Sequence, residues 1–197
     1  MHITILSLWA HKLFDPQETL PYGGAELQLV TLAKTWTQYP NTRITFVTRG
    51  HGSKEYLSKF GIEIIKLPFH ESATIRSTRG IYEILKELSS IPSDILIQRG
   101  GGIETGLAGY ISRRKKIPLL FMCSSALDVD GTHARGRGKI YGFFYQYGLK
   151  QATHVVVQNE YQKTQLQQHN IESTLIRSSQ EIPESIPSQK KGILWVG

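Results

Sequence analysis

Two glycine-rich segments could bring the backbone close to an anionic ligand. Gly23 and Gly24 end a long loop and open a helical pattern, and residues 100–102 are three glycines that follow an apolar run. Glycine admits close approach to the main chain, and the free N–H groups at a helix start favour phosphate. A tight loop-to-helix turn would use the same glycines without any ligand. Both segments are therefore candidate anion-binding turns, with a purely structural turn as the alternative.

Polar side chains follow two of the apolar runs in positions suited to binding. Arg99 could hold a phosphate or carboxylate with its planar guanidinium, or form a surface salt bridge. Ser124 and Ser125 could hydrogen-bond sugar hydroxyls, or cap a turn. Asp128 and Asp130 could bind hydroxyls or accept a proton, or satisfy the loop that contains them. In each case the structural role stays open beside the binding role.

The chain lacks the common nucleotide-binding fingerprints. No G-x-G-x-x-G follows the first apolar run, no acidic residue closes the second run at Thr48 and Arg49, and no G-K-[ST] occurs. The 7 histidines are scattered without metal-ligand spacing, so we expect no structural zinc. These absences disfavour a dinucleotide-dependent dehydrogenase and a P-loop NTPase.

Short apolar runs alternate with helical patterns, and they predict the elements that position these residues. The runs are nearly continuous, which is typical of strands covered on both faces of a parallel sheet. The alternation of strand and helix predicts an α/β fold with a doubly wound, mostly parallel, Rossmann-like sheet of about seven strands. The predicted strands are 2–9, 43–49, 62–67, 94–98, 118–123, 154–158 and 174–177.

Three helical patterns each place apolar residues on one face, which we expect to pack on the sheet. The third is aromatic, and we interpret it as core rather than as a ligand shelf. The single cysteine, Cys123, excludes an internal disulfide, fits a reducing cytoplasm and is expected to be a small buried hydrophobe. The three faces consist of Ala25, Leu29, Leu32, Ala33 and Trp36; Ile81, Ile84, Leu85 and Leu88; and Ile140, Phe143, Phe144 and Tyr147.

The formal net charge of +7 is concentrated in two clusters, at 113–116 and at Arg135, Arg137 and Lys139. Such clusters attract phosphorylated ligands or anionic lipid, or they are solvated loops and helix ends. The basic residues are not interleaved with aromatic residues on one element, so we expect no nucleic-acid partner. No apolar run reaches the roughly 20 residues of a membrane span, and the first residues do not form a secretory signal. We expect a cytoplasmic protein, and peripheral membrane contact stays open.

The composition changes near the end of the chain. Residues 181–191 are rich in proline, serine and charge, and an apolar run follows at 193–196. We interpret residues 1–180 as one domain, and residues 181–197 as a linker and the first strand of a second domain.

Three segments resemble glycosyltransferase family 4. They are Gly-Gly-Ala-Glu at 23–26 after a strand and a long loop, Ala-Thr-His-Val-Val-Val-Gln-Asn-Glu-Tyr-Gln at 152–162, and Ile-Leu-Trp-Val-Gly at 193–197. The resemblance covers nearly all of this chain but only the first half of the family's length. It implies one half of a GT-B fold, the N-terminal acceptor-side domain, in an enzyme that moves a sugar from a nucleotide-diphosphate donor to a sugar or lipid-linked acceptor. Transfer would retain the anomeric configuration and use neither a metal nor another cofactor.

The resemblance also implies roles for single residues. Gly23 and Gly24 inherit a place near the donor diphosphate, and Glu26 inherits a helix-start or packing role. Because ligands bind outside the carboxyl ends of strands in this topology, the acceptor pocket is expected between the loops at 99–102 and 124–130. Its candidate residues are Arg99, Gly101, Ser124, Ser125 and Asp128.

The chain departs from the family after the predicted strand 118–123. Many members carry a histidine there, near the sugar, whereas this chain reads Met122, Cys123, Ser124, Ser125. A thiol or a hydroxyl would replace the imidazole, and no catalytic residue can be assigned. Two other interpretations stay open: a sugar-nucleotide epimerase of the same architecture, and a stand-alone binding module without catalysis. If the first interpretation holds, the isolated chain should be inactive and should bind nucleotide sugars weakly.

Overall fold

The apolar runs form the strands of one sheet. A computed structural model of the chain describes residues 1–17, 21–50, 53–69, 77–135 and 138–178. Within these residues eight strands pair into a single sheet. They are β1 His2–Leu6, β2 Arg43–Gly50, β3 Glu55–Lys59, β4 Ile62–Pro68, β5 Ile95–Arg99, β6 Leu119–Met122, β7 His154–Val157 and β8 Thr174–Leu175.

The strand order β3-β4-β2-β1-β5-β6-β7-β8 creates a switch point beside the first strand. The chain leaves β1 toward β2 and β4, and then returns to place β5 on the other side of β1. Every neighbouring pair is parallel except β3 and β4. The loops after β1 and β5 therefore diverge and leave a crevice at the carboxyl ends of the strands.

Helices cover both faces of the sheet. Side-chain caps begin two of them. Ser77 caps the helix Thr78–Ser90 by accepting a hydrogen bond of 3.0 Å from the Gly80 N–H, and Asn159 caps the helix Glu160–Gln168 by accepting from the Gln162 N–H at 2.9 Å. A short 3₁₀ turn, Ala126–Asp128, lies after β6. The helices are α1 His11–Phe14, α2 Gly24–Trp36, α3 Thr78–Ser90, α4 Ile103–Lys115, α5 Thr132–Arg135, α6 Lys139–Gln151 and α7 Glu160–Gln168.

Consecutive strand residues supply the two cores. Ile64 packs with α1 and α2 on one face, whereas Ile65 packs with α3 and α4 on the other. The second face continues along β6 and β7, where Phe121 and Val157 pack against Tyr145 and other side chains of α6 and α7. Because both neighbours in a strand are buried, the strands read as continuous apolar runs. This confirms the predicted doubly wound, mostly parallel α/β sheet.

The predicted strand count of about seven misses one strand. β3 pairs antiparallel with β4 at the edge of the sheet, and its middle residues, Tyr56, Leu57 and Ser58, are exposed. An edge strand of mixed polar composition carries no continuous apolar run, so the pattern that identifies the other strands is absent from it.

The prediction that the aromatic face of α6 is core is wrong for two of its four residues, whereas Phe144 is partly buried and packs against the core. Ile140 and Phe143 are 74% and 67% exposed, while Tyr141 and Tyr145 are buried instead. The reason is the way in which α6 packs on α4: a Cβ atom on Gly148 would lie 2.0 Å from the Thr105 carbonyl oxygen. Only the glycine side of α6 can approach α4 so closely, and this turns the aromatic face outward.

The other two helix faces agree with the prediction. Leu29 and Ala33 of α2 are buried, as are Ile84 and Leu88 of α3.

The linker and strand expected at 181–197, together with Arg137 of the second basic cluster, lie outside the described residues. In the part of the chain that the structure describes, no helix has the length and apolar character needed to cross a membrane.

Candidate functional site

A cavity of about 340 Å³ opens at the carboxyl ends of β1, β5 and β6, beside the switch point of the sheet. It combines one guanidinium, two carboxylates, hydroxyls and aromatic rings, a mixture suited to a polar, hydroxyl-rich ligand. The loops at 99–102 and 124–130 both reach it, so the structure brings the two predicted segments together. The lining side chains that carry polar or aromatic groups are Ser7, Trp9, Glu26, Gln98, Arg99, Glu104, Ser124, His133 and Tyr141.

Arg99 is the cationic side chain of the cavity. Its Nε atom is buried and has no hydrogen-bond partner among the described residues. Burial lowers the pKa of the guanidinium, and the negative charges of Glu26 and Asp128 partly offset that effect. A half-buried guanidinium with an unused buried donor is stabilised by an anion that completes its hydrogen bonds. The cavity can therefore accept a phosphate or a carboxylate at Arg99.

Asp128 organises the loop after β6 from a fully buried position. One carboxylate oxygen accepts from the Gly101 N–H at 2.6 Å. The other accepts from the N–H groups of Ser124 and Ser125 at 2.6 and 3.0 Å, and from the Ser124 hydroxyl at 2.9 Å. Burial alone would raise the pKa of Asp128, but hydrogen bonds from His133, Ser124 and Ser125 outweigh it and hold the pKa below the ordinary value. The carboxylate ties the two cavity loops together.

His133 brings an imidazole into the cavity wall from α5. Its Nε2 atom lies 3.2 Å from Oδ1 of Asp128, and Nδ1 lies 3.2 Å from the Tyr141 hydroxyl. The hydroxyl in turn donates to the Gly101 carbonyl oxygen at 2.9 Å. Tyr145 supports the same group by donating to the Asp128 carbonyl oxygen. Both ring nitrogens of His133 are thus engaged inside the protein, and the ring positions the 99–102 loop.

The glycines at 100–102 do not present an anion nest. The Gly100 N–H donates to the Met122 carbonyl oxygen at 3.0 Å, and the Gly102 N–H donates to the Thr105 hydroxyl at 3.2 Å. The Gly101 N–H donates to Asp128, as described above. All three N–H groups point into the protein, so this part of the expectation is corrected. Gly101 remains in the cavity wall, and Gly100 is required for its positive φ of 81°.

Gly23 and Gly24 begin α2 on the rim rather than in the wall of the cavity. The Gly23 N–H donates to the Glu26 carboxylate at 2.9 Å, so Glu26 has a helix-start role. Gly24 faces open space, since a Cβ atom there would meet nothing within 4 Å. Glu26 itself lines the cavity. The phosphate-binding role of the two glycines stays a prediction.

The residues after β6 have two roles: some line the cavity, and others hold the Asp128 carboxylate. Ser124 lines the cavity, whereas Ser125 contributes its N–H to Asp128. Cys123 is buried, and burial together with the Asp128 charge raises the pKa of its thiol to about 12, in agreement with its interpretation as a buried hydrophobe. Of the thiol of Cys123 and the hydroxyls of Ser124 and Ser125, the Ser124 hydroxyl belongs to a residue that lines the cavity.

Sequence reasoning missed several cavity residues. His133 and Tyr141 gave no local signal beyond an acidic residue five positions before the histidine, and their meeting depends on how α5 and α6 fold back over the loops. The predicted strand 2–9 ends at Trp9, but this residue lies in the loop after β1. It stacks on Arg49, whose guanidinium carbon is 3.6 Å from the ring centroid. Among the described residues no group of three His, Cys, Asp or Glu side chains could hold a metal ion.

The fold is similar to that of several solved enzymes. The lipopolysaccharide outer core galactosyltransferase WaaB, in its apo form, matches with a TM-score of 0.60 at 15% identity over 97% of this chain and 50% of that chain. The UDP-GlcNAc 2-epimerase from Neisseria meningitidis, bound to UDP-GlcNAc, matches with a TM-score of 0.58 at 12% identity over 89% of this chain and 46% of that one. The UDP-GlcNAc 2-epimerase from Methanocaldococcus jannaschii matches with a TM-score of 0.57 at 9% identity, over 90% and 46%.

These similarities establish the fold. No protein-family model matches the chain, and no curated protein matches its sequence. The chain spans about half the length of the solved structures that it matches. Together with the strand order, the matches identify a Rossmann-like domain of the kind that forms one half of a GT-B fold.

Proposed function

We propose that this chain is the acceptor-side half of a glycosyltransferase that uses a nucleotide-diphosphate sugar. The observation that carries the proposal is the cavity at the switch point, which contains the half-buried guanidinium of Arg99 with its unpartnered Nε atom. Its carboxylates can accept hydrogen bonds from sugar hydroxyls, and the ring of Trp9 offers an apolar surface to the face of a sugar. The sequence resemblance of 23–26 and 152–162 to family 4 supports the same assignment.

In this proposal the polar groups have separate tasks. Arg99 binds an anionic group of the acceptor, while Glu26, Glu104 and Ser124 hydrogen-bond its hydroxyls. Asp128 does not contact ligand, because its carboxylate is already saturated by protein donors. Asp128 instead holds the loop that carries Ser124. It therefore affects acceptor binding only through the position of Ser124.

The donor is proposed to meet this chain at the start of α2. Transfer leaves negative charge on the departing diphosphate, and the positive end of a helix beside Gly24 stabilises such charge. The remaining donor contacts are assigned to the other half of the enzyme, which we propose acts with retention and without a metal. Since the reaction needs donor and acceptor held together in line, the isolated chain should not turn over.

A second candidate, a sugar-nucleotide epimerase, is favoured by the matched epimerase structures with TM-scores close to that of the transferase. The two activities differ in what they require. A transferase releases nucleoside diphosphate only when an acceptor is present, whereas a 2-epimerase inverts C2 of UDP-GlcNAc without an acceptor.

The test uses the intact protein that contains this chain, with UDP-GlcNAc and other nucleotide-diphosphate sugars, in the presence and absence of candidate acceptors. Acceptor-dependent release of nucleoside diphosphate, reduced in Arg99→Gln but not in the surface control Arg177→Gln, is the expected result. Inversion at C2 without an acceptor would replace the proposal with the epimerase. Micromolar binding of a nucleotide sugar to the isolated chain would contradict the assignment of the donor to the other half.

A further inference from the structure

A second surface, on the outer side of the helix layer, is built from aromatic and basic side chains. A groove of about 240 Å³ runs between α3, α4 and α6. Uncharged residues line it, among them the large side chains of Ile81, Leu85, Tyr110, Phe143, Phe144 and Tyr147. The groove lies away from the strand ends, so it is separate from the cavity described above.

Apolar side chains project from the rim of this groove into solvent. Ile140 is 74% exposed and Phe143 is 67% exposed, and Tyr82 is 61% exposed. Phe143 stacks on Tyr147 with ring centroids 6.5 Å apart and meets Phe144 edge-on at 6.0 Å. Single exposed apolar residues are ordinary, but a contiguous set around a groove marks an interaction surface.

The exposure is imposed by the packing of α6 and cannot be relieved by a small rotation. Gly148 is in close contact with the backbone at Thr105, and a Cβ atom on Gly106 would lie 2.6 Å from the Phe144 carbonyl oxygen. Turning Phe143 inward would drive larger side chains into this glycine contact. The helix is therefore held with its aromatic side facing outward.

Exposed cations surround the groove. Helical spacing places Arg113 and Arg114 beside Tyr110 on α4, and Lys139 and Lys150 at the two ends of the exposed face of α6. Within the described ranges none of these four forms an ion pair. Of the acidic residues on the three helices, Glu87 is paired with Lys54, Glu104 lines the ligand cavity, and spacing places Glu83 on the side of α3 away from the groove.

We propose that this aromatic-basic face, formed by Tyr82, Tyr110, Ile140, Phe143 and Tyr147 with the four cations, docks on an anionic lipid bilayer. Tyrosine and phenylalanine fit the headgroup region, and arginine and lysine are attracted to anionic lipid. A nucleic acid would also match the charge, but the most exposed apolar side chain is aliphatic Ile140, which enters an acyl layer and offers no stacking surface for a base. Docking by this face leaves the cavity at the strand ends open.

The proposal does not rest on the proposed function, because lipid binding needs no sugar donor or acceptor. The experiment is co-sedimentation of the chain with vesicles of phosphatidylcholine alone and of phosphatidylcholine containing about 30 mol% phosphatidylglycerol. We expect binding to the anionic vesicles, weaker binding to the neutral ones, and release as salt rises to about 0.5 M, because salt screens the attraction.

Two variants separate the charged and apolar contributions. Each basic side chain near an anionic surface is worth roughly a factor of five in affinity, so Arg113→Gln/Arg114→Gln should bind about 25-fold more weakly. Ile140→Ser/Phe143→Ser should lose roughly tenfold or more, since both exposed side chains would be buried in the interface. All four positions are on the helix surface, so circular dichroism should be unchanged.

The matched control is Lys163→Gln/Arg177→Gln, which removes the same charge near the edge strand β8, at residues that do not line the groove. It should bind like the wild-type chain, apart from a small effect of net charge. Equal loss in the control and in Arg113→Gln/Arg114→Gln would overturn the proposal, as would equal affinity for the two kinds of vesicle. A dimer in sedimentation velocity that Ile140→Ser/Phe143→Ser dissolves would assign the face to a second copy instead. Tighter binding to a single-stranded oligonucleotide than to anionic vesicles would assign it to nucleic acid.

Discussion

Replacing Asp128 with asparagine should destabilise the whole domain as well as the cavity. Asp128 is 2% exposed, and its carboxylate accepts from three N–H groups and one hydroxyl, with the His133 imidazole as a fifth neighbour. Asparagine offers one oxygen and a donor –NH₂ in place of two acceptor oxygens. Whichever way it is oriented, at least one N–H of Gly101, Ser124 or Ser125 faces another donor. A buried donor left unsatisfied costs about 1–3 kcal/mol, and removal of one member of a buried charged network costs about 3–5 kcal/mol.

The pH dependence gives this prediction a sign. The pKa of Asp128 is below its ordinary value of 3.8 in the folded protein, so the ionised group stabilises the fold above that pH. That contribution is constant at neutral pH and is lost as the pH falls below the ordinary value and through the folded pKa. The stability advantage of wild type over Asp128→Asn should therefore be largest near neutrality and shrink below about pH 4.

Urea unfolding at several pH values measures the difference. Asp130→Asn is the matched control, because it makes the same change two residues further on, at a turn where Asp130 accepts from the Thr132 N–H at 2.8 Å. We expect a loss of less than about 1 kcal/mol in the control. A loss of that size in Asp128→Asn at neutral pH, or a large loss that persists undiminished in acid, would refute the role assigned to the carboxylate.

Four further predictions follow from single contacts. In the intact protein, Gly24→Val should lower kcat/KM by an order of magnitude or more with Tm unchanged, since the position faces open space; unchanged kinetics would remove the phosphate role. Arg99→Gln should weaken acceptor binding about 10- to 100-fold, the worth of a charge-assisted contact, and chemical-shift mapping of acceptors should then no longer perturb the cavity loops. Gly148→Ala should cost several kcal/mol in unfolding experiments, because its Cβ would overlap the Thr105 carbonyl; a shift below about 1 kcal/mol would refute the close packing. Cys123 should resist iodoacetamide at pH 8 in the folded chain and react after unfolding, because its pKa of about 12 keeps the thiol protonated; rapid modification of the native protein would contradict its burial.

Continuous apolar runs such as 43–49 and 62–67 were enough to predict parallel strands, because a strand buried on both faces has no polar side to display. Their alternation with helices was enough for the doubly wound topology, and the topology was enough to place the loops at 99–102 and 124–130 at one edge of the sheet. These inferences succeed because they depend on local periodicity and on the restricted handedness of connections.

Features that depend on contacts between distant segments could be seen only in the tertiary structure. The spacing of Ile140, Phe143 and Tyr147 defines an apolar face, but the closer approach that Gly148 allows decided that this face turns outward. The sequence predicts that Asp128 binds ligand, but in the structure its carboxylate accepts hydrogen bonds from the protein's own N–H groups. His133 reaches the cavity wall from α5 and contacts Asp128, through packing that no spacing encodes. The sequence by itself determined the buried strands and their alternation with helices, because those follow from nearest-neighbour chemistry. How the elements pack decided the edge strand β3 and which side chains face the cavity, the core or solvent.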